Sequence, residues 1–157
     1  MCYYVFGGKD IMKSYIINSS TMALINDNSN TLVYETDDTF IVNKAPLDII
    51  KESCLFYFST FDGRLQASKN ILNSYYKIPI VIEESNGIVF FPTSSVHDKN
   101  NNWFSINYVN NVLKFGSNSI VKMLHEVSIN CNFSKFSFER QMLKASRLLL
   151  VLNQRKL

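Results

Sequence analysis

The side chains able to do chemistry in this chain are few, and their spacing limits what they can do. Cys54 lies in SCLFYFSTFDGR, residues 53–64, among Phe56, Tyr57, Phe58 and Phe61. A thiol nucleophile needs a lowered pKa and a base, usually histidine. The two histidines, His97 and His125, lie in loop or strand-edge sequence with no motif around them. A cysteine on an apolar stretch is a small core residue far more often than a catalyst, so no catalytic residue is assigned. Cysteine and histidine never occur at C-x-x-C or H-x-x-x-H spacing, so no metal is expected. The acidic pairs Asp37-Asp38 and Glu83-Glu84 are adjacent, and adjacent side chains in strands point apart. No glycine-rich phosphate cradle exists, since Gly7-Gly8-Lys9 is too short, and no cofactor is expected.

What remains is cationic. Arg64 follows Asp62-Gly63, Lys69 and Lys77 follow in turn, and Arg140, Lys144 and Arg147 form one stripe of a late helix. Such a stripe is either a solvated face or a phosphate-contacting surface, and spacing does not separate the two.

The elements that position these residues belong to one domain spanning 1–157. With 46% hydrophobic and 18% charged residues, the chain has the material for a packed core and is too apolar for disorder. A net charge of +3 permits a local basic patch and does not by itself indicate nucleic acid. Three scattered cysteines, Cys2, Cys54 and Cys131, do not make a disulfide framework. There is no signal-like start and no aliphatic run long enough to span a bilayer. A soluble protein of the cytoplasm, without a membrane partner, is expected.

Turn signals divide the chain into hairpins. Residues 15–17 and 21–25 flank Asn18-Ser19-Ser20, and residues 32–35 and 40–43 flank Asp37-Asp38. Residues 79–82 and 88–91 flank Ser85-Asn86-Gly87, residues 103–109 alternate as one strand, and shorter strands follow near 112–115 and 120–129. Pro46 suits a first helical position, and Leu47, Ile50, Cys54 and Phe58 then share a face. Asp62-Gly63 ends or turns that helix, and residues 64–72 suit a second one. Ser137 is placed as the cap of the late helix, whose Phe138, Met142, Ala145, Leu149 and Leu152 form an apolar stripe that completes the domain's own core. The fold class is α+β: an antiparallel-dominated sheet with a central helix and a C-terminal helix packed on it.

Three stretches in order carry a resemblance. They are FIVNKAPLDIIKESCLFYFSTFDGR at 40–64, IPIVIEESNGIVFFPTSS at 78–95 and NWFSINYV at 102–109. Their Pro46-Leu47, Ser53-Cys54, Gly63-Arg64, Phe91-Pro92-Thr93 and Trp103 resemble the ComK family of competence transcription factors. YIINSSTMALI at 15–25 and SFERQ at 137–141 extend the likeness over nearly the whole chain. Three positions depart from the pattern: Leu55 and Leu65 stand where basic residues are frequent, and Phe58 where a glycine is common.

The resemblance implies a DNA-binding activator of DNA-uptake genes. It would bind AT-rich promoter boxes as a multimer, largely through the minor groove. Double-stranded AT-rich DNA is the implied partner, with Arg64, Lys69, Lys77, Arg140, Lys144 and Arg147 as contacts. Arg64 is expected exposed beside a turn at Asp62-Gly63, where its guanidinium suits a narrow groove. The stripe Arg140, Lys144 and Arg147 is expected on phosphates. Longer relatives carry a tail that serves activation and recognition by a protease adaptor, and without that tail neither is expected here. The alternative is a non-DNA-binding paralogue that forms mixed oligomers with a full-length relative.

Overall fold

The computed structural model describes residues 3–6 and 9–156; Cys2 and Gly7-Gly8 lie outside them. Among the described residues the strands are β1 (Tyr3–Phe6), β2 (Lys9–Met12), β3 (Thr21–Asp27), β4 (Asn30–Glu35), β5 (Thr39–Val42), β6 (Ile80–Glu83), β7 (Ile88–Pro92), β8 (Trp103–Ser105), β9 (Val109–Phe115), β10 (Asn118–Met123) and β11 (Ser128–Cys131). The helices are α1 (Pro46–Phe56), α2 (Phe61–Leu72) and α3 (Lys135–Gln154). One sheet has the order β1-β2-β5-β4-β3-β8-β7-β6, and a smaller one the order β11-β10-β9. All pairings are antiparallel except β2 with β5. The fold is α+β, with α3 packed on the large sheet. No helix among the described residues is long and apolar enough to cross a membrane.

Near-continuous apolar runs in β6 and β7 reflect burial on both faces of the sheet. Ile80, Ile82, Phe90 and Trp103 point to one side, where they pack with Ile49, Ile50, Cys54 of α1 and Phe61, Leu65 of α2. Val81, Val89, Phe91 and Phe104 point to the other, against Phe138, Ala145 and Leu148 of α3 and Val112, Val121 and Ile129 of the small sheet. The result is three layers with the large sheet in the middle.

Helix α1 begins as its sequence requires, with Pro46 at the first position after Ala45. Leu47, Ile50 and Cys54 are buried as the spacing predicts. The predicted stripe fails at Phe58, which lies beyond the helix and is 100% exposed. Phe58 N–H donates to Leu55 C=O at 3.1 Å and Ser59 N–H to Cys54 C=O at 3.0 Å, the paired closing bonds of a Schellman end. That motif needs a left-handed residue, and Phe58 supplies it at φ 63°. The helix break therefore lies at residues 57–60, not at Asp62-Gly63.

Asp62 and Gly63 instead stand in the first turn of α2, whose cap is Thr60. The Gly63 N–H donates to Thr60 Oγ1 at 3.0 Å. A Cβ on Gly63 would lie 2.9 Å from that oxygen, so the glycine serves the close approach of the cap rather than a turn. Helix α3 starts three residues before its expected first position. Ser134 is the cap, accepting from Ser137 N–H, and Ser137 sits inside the first turn. Phe138 and Ala145 are buried, Met142, Leu149 and Leu152 partly buried, and the core face also takes in Gln141, Leu148 and Val151.

Three strand expectations fail, each for a physical reason. Residues 15–17 are not a strand, because side chains satisfy their backbone: Ile17 N–H donates to Ser53 Oγ at 3.0 Å and Tyr57 Oη donates to Ile17 C=O at 2.7 Å. Thr21 opens β3, which pairs with β4 through a turn at Asn28 and Ser29, both at positive φ. Residues 103–109 are also not one strand: β8 stops at Ser105, Tyr108 N–H returns to Ser105 C=O at 3.2 Å, and β9 starts the second sheet. Residues 120–129 likewise divide into β10 and β11 at His125 and Glu126, both at φ 62°. The hairpins β4–β5 and β6–β7 form as expected.

Phe58→Gly removes a left-handed strain from a side chain that packs on nothing. It is expected to raise stability by about 0.5–1 kcal/mol in denaturant melts; destabilisation would mean the ring makes contacts in solution. Cys54→Ala is expected to cost about 1–2 kcal/mol at pH 7 by removing a buried sulfur. Burial pushes the Cys54 thiol from 9.0 up to about 11, partly offset by the charge of Arg64. The neutral thiol is thus favoured in the fold. As pH rises from 9 towards about 11 the unfolded chain ionises first and the wild type loses stability. The gap to Cys54→Ala is therefore expected to narrow across that window, and a gap that widened would contradict the burial.

Candidate nucleic-acid interface

Helix α3 is held on the sheet by one side and carries charge on the other. Its single carboxylate, Glu139, faces four cations along the helix, Lys135, Arg140, Lys144 and Arg147. Core burial of Phe138, Ala145 and Leu148 fixes the rotation of the helix. At 100° per residue this leaves Phe136, Arg140, Leu143, Arg147 and Leu150 as an outward stripe, and all five are exposed.

The loop from α2 to β6, residues 73–79, lies against the flank of α3 beside this stripe, at Ser137 and Lys144. Lys144 Nζ donates to Tyr76 C=O at 2.6 Å. Lys77, at φ 46°, donates from Nζ to Ser137 Oγ at 3.4 Å. Lys144 is half-buried, and burial holds its pKa below the usual lysine value, followed by the charges of Arg140 and Lys77. Lys77, Arg140 and Lys144 therefore form one electrostatic cluster. The Arg140 guanidinium lies 5.8 Å from the Phe136 ring centroid. Arg147 continues the stripe and makes no hydrogen bond or ion pair among the described residues.

Arg64 is placed differently. It is not exposed beside a turn but sits in the first turns of α2, its side chain 17% exposed. Nη1 pairs with Glu84 Oε1 at 2.6 Å, and Asp62 is not its partner. Nε is buried without a hydrogen-bond partner. Arg64 lines a groove of about 640 Å³ between α2 and α3, floored by Ile71, Val81 and Leu148. Lys69, half-buried in the last turn of α2, makes no bond to the α3 cluster among the described residues. Four of the six cations singled out by sequence thus share a surface, and Arg64 and Lys69 stand apart from it.

The thiol reading loses its chemical basis. Cys54 is fully buried, with its pKa raised to about 11, the opposite of what a nucleophile requires. Among the described residues no cluster could hold a metal ion.

Sequence reasoning did not select Tyr75, Tyr76 and Phe136, all of them exposed at this surface. The signal was there in part. Tyr75-Tyr76-Lys77 precedes a buried Ile78-Pro79, and residues 136, 140, 143, 147 and 150 repeat at four-three spacing with apolar and arginine side chains alternating.

Comparison with known proteins bears on this surface only through ancestry. The competence transcription factor of Bacillus subtilis (strain 168) is 32% identical over 98 residues, covering 60% of this chain and 51% of that protein. The match thus spans about half the length of that relative. No solved structure matches the chain. The family described as ComK protein matches residues 12–157, which is nearly the whole sequence. The chain belongs to the ComK family.

Proposed function

We propose that this chain is a regulator of competence genes that binds duplex DNA with the outer face of α3, and that it is not an enzyme. The observation that carries the reading is the cluster Lys77, Arg140 and Lys144, continued by Arg147, on a helix face with a single carboxylate. Cations gathered in this way repel one another, and a polyanion relieves the repulsion. A helix stripe of flexible cations positions a phosphate backbone without reading bases. The preference for AT-rich boxes and the use of the minor groove follow the family resemblance. Their physical support is that an AT-rich groove is narrow and strongly negative. Arg64 is assigned to the groove between α2 and α3, because Glu84 already engages it.

The test is electrophoretic shift with an AT-rich and a mixed-sequence probe at several salt concentrations. Arg140→Ala and Arg147→Ala are each expected to weaken both probes about equally and to flatten the log-affinity against log-salt slope by about one unit. Arg64→Ala is expected to leave the ratio of the two affinities unchanged. Binding unaffected by Arg140→Ala and Arg147→Ala together would overturn the reading.

A second reading rests on Phe136, Leu143 and Leu150, exposed on the same stripe at helical seam spacing. In that reading α3 pairs with a related regulator in a mixed oligomer. Self-pairing along this stripe would put Arg140 and Arg147 of both copies on one seam, which disfavours an identical partner and favours a chain with carboxylates there. In sedimentation velocity Leu143→Asp is expected to leave the chain's own mass unchanged and to abolish co-sedimentation with such a relative. Dissociation of a wild-type homodimer by this change would instead assign the stripe to self-association.

A further inference from the structure

We propose that Tyr75 and Tyr76 are the base-contacting tip of the α3 surface, each ring able to stack on a base unstacked from its neighbour. The inference rests on the DNA-binding reading and adds the element that reads the DNA rather than the phosphates.

Two adjacent tyrosines are 76% and 80% exposed in a domain whose other large rings mostly pack inside. A loop carrying such rings is ordinarily either mobile or covered. This one is short and tied down along its length. Asn73 closes α2 in the left-handed conformation, and Ile78 is fully buried at the other end. Between them Lys144 holds the Tyr76 carbonyl at 2.6 Å and Lys77 reaches Ser137 at 3.4 Å. The backbone is fixed to α3 while both rings project, so little ordering entropy remains to oppose contact. The loop 73–79 contains no carboxylate.

The surroundings select the ligand. A protein partner would also accept tyrosines, but here the loop that carries the rings includes Lys77 and is anchored by Lys144, which feels the charge of Arg140. Aromatic platforms flanked by cations are how proteins hold unstacked bases, with the base on the ring and its phosphate on the charge. Duplexes yield such bases most readily at flexible pyrimidine–purine steps such as TA, whereas runs of A are stiff. A preference for AT-rich DNA would then arise in part from ease of opening at the step the rings enter. An unstacked base can come from a kinked duplex or from a single strand, and the experiment separates them.

The wild type, Tyr75→Ser/Tyr76→Ser and Tyr75→Phe/Tyr76→Phe are compared on three probes of equal length. These are an AT-rich duplex with central TA steps, an A-tract duplex and a single strand, with duplex bending read by energy transfer between labelled ends. On the TA duplex the serine variant is expected to lose roughly 10- to 100-fold in affinity. Its loss on the A-tract is expected to stay below about threefold, since a stiff tract offers no open step. The phenylalanine variant should restore both affinity and bend, because stacking needs the ring and not the hydroxyl. The salt slope should not change, because no phosphate contact is removed. Equal losses on both duplexes, or an unchanged bend, would overturn the assignment. A loss confined to the single strand would place the open base there and overturn the duplex version. A change in sedimenting mass with DNA affinity intact would give the rings to a protein interface and equally overturn it. Should the wild type show no salt-dependent binding to any probe, the DNA-binding reading itself falls; should it bind all three and the serine variant match it, only the tyrosines are misassigned.

Discussion

The seating of Phe138 governs what the rest of α3 presents to solvent. Its ring meets Phe91 and Phe104 of the large sheet edge-on, with centroids 5.2 Å away in each case, and stacks on Phe133 at 5.2 Å. Edge-to-face contacts are directional, unlike aliphatic burial, so they fix the rotation of the helix about its axis as well as its distance. Ala145, fully buried one side further on, lets the helix backbone approach the sheet closely. Near the other end a Cβ on Gly87 would lie 3.1 Å from Leu149 Cδ1. That glycine, at φ +64°, therefore serves both the β6–β7 turn and the close passage of α3 over it. Turned by one residue, the same helix would set Ser137 or Glu139 against three aromatic rings.

How much of this could be read from sequence depended on whether a local signal decided the outcome. Pro46 marked the start of α1, and Asp37-Asp38 and Ser85-Asn86-Gly87 marked their hairpins, because turn and cap chemistry are local. The α+β class followed from the mixture of periods. The helix break was misplaced because Asp62-Gly63 is a stronger written signal than Phe58, although Phe58 occupies the left-handed position. The departure from a common family glycine at Phe58 was the available clue, and it pointed at backbone conformation rather than binding. Residues 15–17 looked like a strand because nothing in their own sequence shows that Ser53 and Tyr57, some forty residues on, satisfy their backbone. For the candidate surface, the α3 cations were legible as a stripe. The long-range partner of Arg64 was not, since Glu84 lies twenty residues away in sequence.

That partnership explains how a chain with a net charge of only +3 comes to have a concentrated basic face. Carboxylates elsewhere are spent on nearby cations: Glu84 with Arg64, Glu52 with Lys44, and Asp48 with Lys99 at 3.6 Å. Each exposed pair adds little stability. Their consequence is spatial, because they offset charge beside α1 and α2 while the α3 cations make no ion pair among the described residues. A modest total thus says little about local potential, which depends on where the opposite charges were placed.

The lowered pKa of Lys144 shows the strain of that arrangement at one atom. Its ammonium is drawn partly out of water to hold the Tyr76 carbonyl, with Arg140 and Lys77 close enough to disfavour its charge. For folding alone, a neutral donor at 144 would hold the loop with less electrostatic cost. A cation there makes sense if, as proposed, the loop and the helix face act together towards one anionic partner, since one bond both anchors the loop of Tyr75 and Tyr76 on α3 and keeps a positive charge at the anchor. On the proposed DNA-binding reading, a phosphate beside the three cations would relieve their mutual repulsion. On this view the fold keeps a locally unfavourable charge because ligand binding removes the penalty, and the geometry of the aromatic tip and the electrostatics of the helix are a single device.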